Sequence, residues 1–161
     1  MNKTPPPLPL DIFMQVVKHT PLISIDLLIY NDNNDVLLGW RTNLPAKDFW
    51  FVPGGRIFKN ESIREAFSRI ARCETGINLN TEQAVFHGVY EHIYPNENFA
   101  DEAGFGTHYI VLAFEVKLSG ESISLPREQH TLYKWMSVAE LLEQDQVHEN
   151  VKNYFNSTDT Y

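Results

Sequence analysis

GGRIFKNESIREAFSRIARCETGI, residues 54–77, joins a pair of glycines to a charged, amphipathic segment and constrains the architecture more than any other part of the chain. Ser62 and Glu65 stand three positions apart, as an N-cap and its capping-box partner do. Gly76 is of the residue type that most often ends a helix. The segment therefore predicts a turn after the glycines and a helix that runs from Ser62 to Gly76.

The apolar residues of this helix predict its buried face. At about 100° per residue, one stripe contains Ile63, Phe67, Ile70 and Glu74, with Ala66 and Ala71 beside it. An ionised carboxylate within an apolar stripe is costly unless a cation or strong donors satisfy it, so we expect Glu74 to meet a metal ion or an arginine. The opposite side is expected to carry solvated charges, namely Glu61, Glu65, Arg64 and Arg72. Glu61 and Glu65 are expected to have structural or orienting roles, and Glu65 with Arg69 is the expected ion pair.

The bulk composition favours one globular domain over 1–161. The chain has 161 residues, 43% apolar and 12% aromatic, which is enough to bury a core. Its start lacks the pattern of a signal peptide, no apolar run approaches a membrane span, and the single cysteine excludes an internal disulfide. A formal charge of -8 opposes nucleic-acid binding. We therefore expect a cytoplasmic protein without membrane or nucleic-acid partners, in which local arginines would hold any anionic substrate.

Apolar runs and polar turns divide the rest of the chain. Residues 1–10 predict an extended proline-rich arm, and Asp26 is an acid within an apolar strand. The stretch 95–106 is expected to be a mobile lid or substrate loop. The predicted elements are a helix at 11–19, strands at 23–30, 36–41, 49–55, 85–94, 107–118 and 132–138, the first two forming a pair, and closing helices at 139–144 and 148–156.

The segment 54–77 resembles the box of the Nudix hydrolases. That pattern is Gly, five residues, Glu, seven residues, then Arg-Glu-apolar-x-Glu-Glu-x-Gly-apolar, and here Ile70 and Cys73 replace two of its acids. Together with PLISID (21–26), LLGWRTNLPA (37–46), FWFVPGGR (49–56) and LPREQH (125–130), the degenerate box resembles the GDP-mannose mannosyl hydrolases, an atypical Nudix group. The resemblance covers nearly all of 10–155.

This resemblance implies a fold and a reaction. The fold would be α/β, an α/β/α sandwich with a mixed β-sheet. The reaction would be Mg2+-dependent hydrolysis of GDP-mannose, or of related GDP-hexoses, to GDP and free sugar by water attack at the anomeric carbon with inversion. One Mg2+ per subunit, with Mn2+ as a substitute, and a homodimer are also implied. A single ion bridging a diphosphate suits departure of a nucleoside diphosphate better than activation of water against phosphorus.

The resemblance also assigns site residues by position. The metal ligands would be the carbonyl of Gly54, the carboxylate of Glu74 and the side-chain oxygen of Gln129, and His130 would be the general base. Further catalytic positions would be Arg41, Arg56, Asp26, His92 and Tyr109, with Arg41 also holding the diphosphate and Leu8 and Phe13 contacting guanine. Plainer roles stay open: Asp26 pairing with Arg41, His92 as a satisfied strand histidine, and Tyr109 as a core residue with its hydroxyl at the rim.

Two other functions compete with this one. An ordinary Nudix pyrophosphohydrolase would attack phosphorus, but neither Ile70 nor Cys73 supplies the acids for extra metal or for orienting that water. A non-catalytic sensor of nucleotide sugars would not need a base, so the retention of Glu74, Gln129 and His130 together disfavours it.

Overall fold

The computed structural model describes residues 8–119 and 130–156, with the backbone alone at 130 and 131. Its helices are α1 Leu10–His19, α2 Ile63–Thr75, α3 Val138–Glu143 and α4 Glu149–Lys152, with a 3-10 turn at Thr81–Gln83. Its strands are β1 Leu22–Tyr30, β2 Val36–Arg41, β3 Trp50–Phe51, β4 Gly54–Arg56, β5 Ala84–Tyr94, β6 Thr107–Lys117 and β7 His130–Met136. Two predictions need correction. The segment 49–55 is divided by Val52 and Pro53 into parts of two strands, and the last helix ends at Lys152.

The strands form one mixed sheet within the described residues, in the order β3-β2-β1-β6-β5. The central strands β1 and β6 are parallel from Leu22↔Tyr109 to Tyr30↔Lys117, and the other pairs are antiparallel. The predicted pairing of β1 with β2 is confirmed, through Tyr30↔Val36. However, most of β1 pairs instead with β6 and with β4, so this strand lies at the centre of the sheet.

Helices pack on both faces of the sheet. Successive residues of β1 point to opposite faces, so this strand contributes apolar side chains to the core on each side. Ile25, Leu27 and Ile29 pack in one cluster with the apolar face of α2. Leu28 packs in the other cluster, with residues of α3 and α4. Asp26 has the same parity as Leu28 and therefore lies on the α4 side of the sheet.

Helix α2 begins and ends where the sequence predicts. Both capping-box bonds between Ser62 and Glu65 are present, and Gly76 adopts the left-handed conformation with φ of 73°. Glu74 is buried on the inward stripe, as predicted. Ile63 was expected on the same stripe, but it is 48% exposed because it occupies the first helical turn, outside the apolar cluster.

The expected ion pair between Glu65 and Arg69 is wrong. Glu65 instead accepts hydrogen bonds from the backbone and hydroxyl of Ser62. Arg69 binds Glu61 through two bonds, Nε to Oε1 at 2.6 Å and Nη2 to Oε2 at 2.8 Å. The side chains of Arg69 and Glu61 are only 15% and 8% exposed, so Glu61 is not a solvated charge either. Its role is structural: it ties the turn before α2 to the helix.

The stretch 95–106 folds around the buried amide of Asn98. This side chain donates to the carbonyls of Glu102 and Phe105 and accepts from the amides of Ala100 and Glu102. The neighbouring Phe99 packs against Phe13 of α1 with ring centroids 4.7 Å apart. The loop thus has a defined conformation beside α1, while its mobility stays a prediction. Among the described residues, every helix is too short or too polar to span a bilayer.

Candidate active site

A cavity of about 210 Å³ opens beside the sheet, and Glu74 of α2 lies in its lining. Strands β1 to β6 contribute the other lining residues, together with the segment after β2 and Val52. The residues that line it are Ser24, Asp26, Arg41, Thr42, Asn43, Pro45, Phe51, Val52, Gly54, Gly55, Arg56, Glu74, His92, Tyr94 and Tyr109. Seven residues predicted from the sequence therefore meet in one place: Asp26, Arg41, Gly54, Arg56, Glu74, His92 and Tyr109.

The acidic side of the cavity is built where β1 meets β4. Asp26 pairs in register with Gly54, and a Cβ added to Gly54 would collide with Oδ1 of Asp26. Position 54 must therefore be glycine for the carboxylate to lie against the strand. The pKa of Asp26 is raised to about 7, chiefly by burial and to a small extent by the charge of Glu74, while a hydrogen bond from Tyr154 and the charge of Arg41 oppose the increase. Arg41 thus acts on Asp26 through its charge, while Tyr154 is its hydrogen-bond partner.

This donor set fits a hard divalent cation. Two carboxylates, Asp26 and Glu74, line one small cavity together with the backbone of Gly54, and both side chains are buried. Mg2+ takes oxygen ligands, commonly one or two carboxylates with water and phosphate oxygens. A cation there would relieve the cost of keeping two acids out of water. The expected third ligand, Gln129, lies outside the described residues. Within them, no cluster of three or more His, Cys, Asp or Glu side chains has metal-binding geometry.

The basic side of the cavity consists of two arginines held by different contacts. Arg41 donates from Nε to the carbonyl of Pro45 at 2.9 Å and lies over the Phe51 ring. Arg56 stacks on Phe13, with its guanidinium carbon 4.1 Å from the ring centroid. Burial lowers the pKa of Arg56, Tyr109 counteracts this, and Arg69 adds a smaller lowering. Both arginines thus line the same cavity as the acids and offer paired N–H donors suited to phosphate.

His92 and Tyr109 enter from β5 and β6. His92 is 4% exposed, and burial, helped by the charges of His148 and Arg41, lowers its pKa to about 3, so the ring is neutral at neutral pH. Burial also raises the pKa of Tyr109, opposed by Arg41 and Arg56. Both residues are therefore uncharged hydrogen-bonding groups at the cavity wall.

The remaining predicted site residues either do not line the cavity or have side chains outside the described residues. His130 begins β7, and its backbone pairs with Arg41, but its side chain lies outside the described residues. Leu8 is 45% exposed and does not line the cavity. Phe13 does not line it either, yet it reaches the site through its contact with Arg56.

Ile70 and Cys73, which replace two acids of the box, do not line the cavity. Ile70 is 1% exposed, and its side chain would lie 3.1 Å from a Cβ placed on Gly55, so it fills the space behind β4. Cys73 is exposed on the outer side of α2. Neither residue brings a carboxylate to the site. Glu74 is therefore the one acid that α2 contributes to the cavity lining.

Tyr154 is a site residue that the sequence did not reveal. Its hydroxyl donates to Oδ2 of Asp26 at 2.6 Å and lies 3.1 Å from Nε2 of His92. It stands 128 positions from Asp26, in a segment whose sequence indicates only a closing helix. The aromatic ring of Tyr154 favours burial, but the local sequence does not indicate which group its hydroxyl would contact.

Comparisons with known proteins identify the family. Residues 20–156 match the NUDIX domain. Low-salt glycan biosynthesis protein Agl8 of Haloferax volcanii is 37% identical over 126 residues, covering 78% of this chain and 77% of that protein. The chain belongs to the Nudix family.

Solved structures show the same fold at low sequence identity. The MutT protein from Methanosarcina mazei Go1 has a TM-score of 0.67 and 22% identity, covering 85% of this chain and 92% of that one. The NUDIX domain of Shewanella oneidensis NrtR, solved in complex with ADP ribose, has a TM-score of 0.62 and 15% identity, covering 92% and 96%. The expected Nudix α/β fold with a mixed sheet between helices is confirmed.

Proposed function

We propose that this protein hydrolyses GDP-mannose, or a related GDP-hexose, to GDP and free sugar in a Mg2+-dependent reaction. Water would attack the anomeric carbon and the configuration there would invert. The observation that carries the proposal is the asymmetry of α2, which contributes Glu74 to the cavity but keeps Ile70 in the core and Cys73 outside. The similarity to a protein named for glycan biosynthesis supports a sugar-containing substrate.

Each wall of the cavity suits one part of a nucleotide sugar. Arg41 and Arg56 would hold the diphosphate, since a guanidinium binds two phosphate oxygens at once. Glu74, the carbonyl of Gly54 and Gln129 would hold Mg2+, which supplies positive charge to a departing diphosphate when bound. Asp26, His92 and Tyr109 would contact the sugar or the phosphates, since all three present hydrogen-bonding groups at the same cavity. Leu8 and Phe13 are proposed to contact the guanine.

His130 is proposed as the general base that removes a proton from the attacking water. Strand β7, which begins at His130, pairs with β2 at Arg41 and is tied to α2 where Tyr133 donates to the carbonyl of Glu74 at 3.1 Å. The strand thus runs between a proposed diphosphate ligand and a proposed metal ligand. Histidine has an ordinary pKa of about 6.5, which suits proton removal at neutral pH.

An isotope experiment separates this function from its two rivals. The protein is incubated with GDP-mannose and Mg2+ in 18O water, and the products are analysed by mass spectrometry. Label in the free hexose together with GDP supports attack at carbon. Label in a phosphate with GMP would show the phosphorus-directed reaction instead, and binding without turnover would show a sensor. Proton NMR before mutarotation tests the inversion.

Replacement of the base gives a second test. His130→Gln should lower kcat by about 10²–10⁴, the usual contribution of a positioned base, and leave substrate binding intact. The control is His19→Gln, at an exposed position of α1. A His130→Gln enzyme with full activity across neutral pH would show that another group is the base.

A further inference from the structure

The Tyr154 hydroxyl connects two walls of the cavity from behind. Tyr154 follows α4, is 3% exposed and does not itself line the cavity. Its two partners, Asp26 of β1 and His92 of β5, both do. Since β6 separates β1 from β5 in the sheet, the hydroxyl joins two strands that are not neighbours.

The contacts of the Tyr154 hydroxyl determine which ring nitrogen of His92 carries the hydrogen. A phenol has one proton, and Tyr154 donates it to Oδ2 of Asp26. The phenol oxygen must then accept from His92, so Nε2 of the imidazole carries the hydrogen. A neutral imidazole has one N–H, which leaves Nδ1 as an acceptor. His92 can then receive a hydrogen bond, for example from a hydroxyl, at Nδ1.

The same contact orients Asp26. Oδ2 is turned to Tyr154, while Oδ1 lies where a Cβ of Gly54 would be. The two oxygens of the carboxylate therefore have different surroundings. Rotation of the carboxyl group would break this hydrogen bond, whose 2.6 Å length lies at the short end of the range for O–H···O bonds in proteins.

The backbone of Tyr154 is itself anchored. Nε2 of His87 lies 2.9 Å from the carbonyl oxygen of Tyr154, and Nδ1 of His87 lies 2.6 Å from Oε1 of Glu115. The Tyr154 ring also packs edge-on against Tyr90, with centroids 4.7 Å apart. These contacts hold the phenol from the side opposite to its hydroxyl.

We propose that Tyr154 is a positioning residue, whose hydroxyl sets the orientation of the Asp26 carboxylate and the Nε2–H tautomer of His92 at the cavity. Its effect on turnover rests on the proposed function. Its effect on the tautomer does not, and the experiment therefore has two readouts.

The first readout is the 15N NMR signature of His92, which reports the ring nitrogen that carries the proton. The wild-type protein should show the Nε2–H tautomer at neutral pH, and Tyr154→Phe should change the tautomer or mix the two forms. The control is Tyr30→Phe, which removes a phenol hydroxyl from a half-buried ring at the far end of β1. An Nδ1–H ring in the wild type would overturn the proposal. That measurement needs no variant, so it decides even if Tyr154→Phe fails to fold.

The second readout is steady-state kinetics with GDP-mannose and Mg2+. Tyr154→Phe should lower kcat by about 10- to 100-fold, as loss of an orienting partner does, with KM unchanged because the diphosphate is held elsewhere. Tyr30→Phe should match the wild type. Unchanged kcat in Tyr154→Phe would refute a positioning role. If the wild type does not hydrolyse GDP-mannose, the proposed function fails, and the tautomer measurement alone decides the role of Tyr154.

Discussion

Replacing Glu61 by glutamine tests the ion pair that joins the turn before α2 to the helix. Glutamine keeps the size of the side chain but has one acceptor oxygen in place of two, so one of the two bonds from Arg69 is lost and the other joins the guanidinium to a neutral amide. A hydrogen bond to a charged group contributes about 1.5–3 kcal/mol, so the loss of one such bond is expected to cost about 2 kcal/mol. The free energy of unfolding should therefore fall by about 2 kcal/mol, below the 3–5 kcal/mol of a fully buried pair because this pair keeps some exposure.

Urea denaturation followed by circular dichroism measures this loss, which corresponds to a melting temperature lower by about 4–8 °C for a chain of this size. The matched control is Glu82→Gln, which breaks the pair with Arg64 whose side chains are 77% and 66% exposed. That variant should lose no more than about 0.5 kcal/mol. Equal losses in the two variants would refute the argument from burial.

The pH dependence of the Glu61 variant gives an independent check. The hydrogen bond from Arg69 lowers the pKa of Glu61 in the folded protein, so the pair stabilises the protein fully above the unfolded pKa of about 4.5. The contribution is lost as pH falls through the lower folded pKa. The difference between wild type and Glu61→Gln should thus be constant near neutral pH and shrink below about pH 4.5. A difference that persists unchanged in acid would show that charge is not its cause.

Three further predictions concern the core, the titrating groups and the metal. Ile70→Ala should cost about 2–4 kcal/mol by urea denaturation, whereas Cys73→Ala at the exposed position should cost little. The lowered pKa of His92 costs stability as pH falls below about 6.5, while the raised pKa of Asp26 adds stability as pH falls below about 7. On acidification from pH 7 to 5, the free energy of unfolding should therefore rise in His92→Gln and fall in Asp26→Asn, each relative to the wild type. A change of the same sign in both variants would contradict these pKa directions. Mg2+ should raise the melting temperature of the wild type but not of Glu74→Gln, and an equal rise in both would exclude Glu74 as a ligand.

The sequence predicted α2 well because its signals are local. Ser62, Glu65 and Gly76 define the two ends through contacts within a few residues, and both ends are confirmed. The burial of Glu74 followed from helical periodicity alone, since the apolar face lies against the sheet. Such features depend on one element at a time.

The partner of Arg69 could not be predicted because it lies outside the helix. The i, i+4 rule selects Glu65, but the capping bonds already occupy that carboxylate. Glu61 stands directly before the N-cap Ser62 and is eight positions from Arg69, so only the folded turn brings the two together. The bond from the Phe58 amide to Glu61 completes this turn.

The candidate site was predicted in part for a similar reason. The family resemblance, which covers whole motifs, assigned eleven site residues, and seven of them line the cavity. Leu8 and Phe13 do not line it, and the side chains of Gln129 and His130 lie outside the described residues. Tyr154 belongs to no such motif, and its role depends on how the segment after α4 packs on β1 and β5. Hydrogen-bond partners 128 positions apart are set by tertiary packing, about which neither periodicity nor capping carries information.

The parallel pairing of β1 with β6 also has a consequence for the order of events on the ribosome. Strand β1 is complete at Tyr30, yet its parallel partner spans Thr107–Lys117, and the donor for Asp26 is Tyr154. During synthesis, the carboxylate leaves the exit tunnel long before the groups that shield it and bond to it. The nascent chain must therefore keep Asp26 hydrated until both β6 and Tyr154 have been added, and the cavity forms among the last steps of folding.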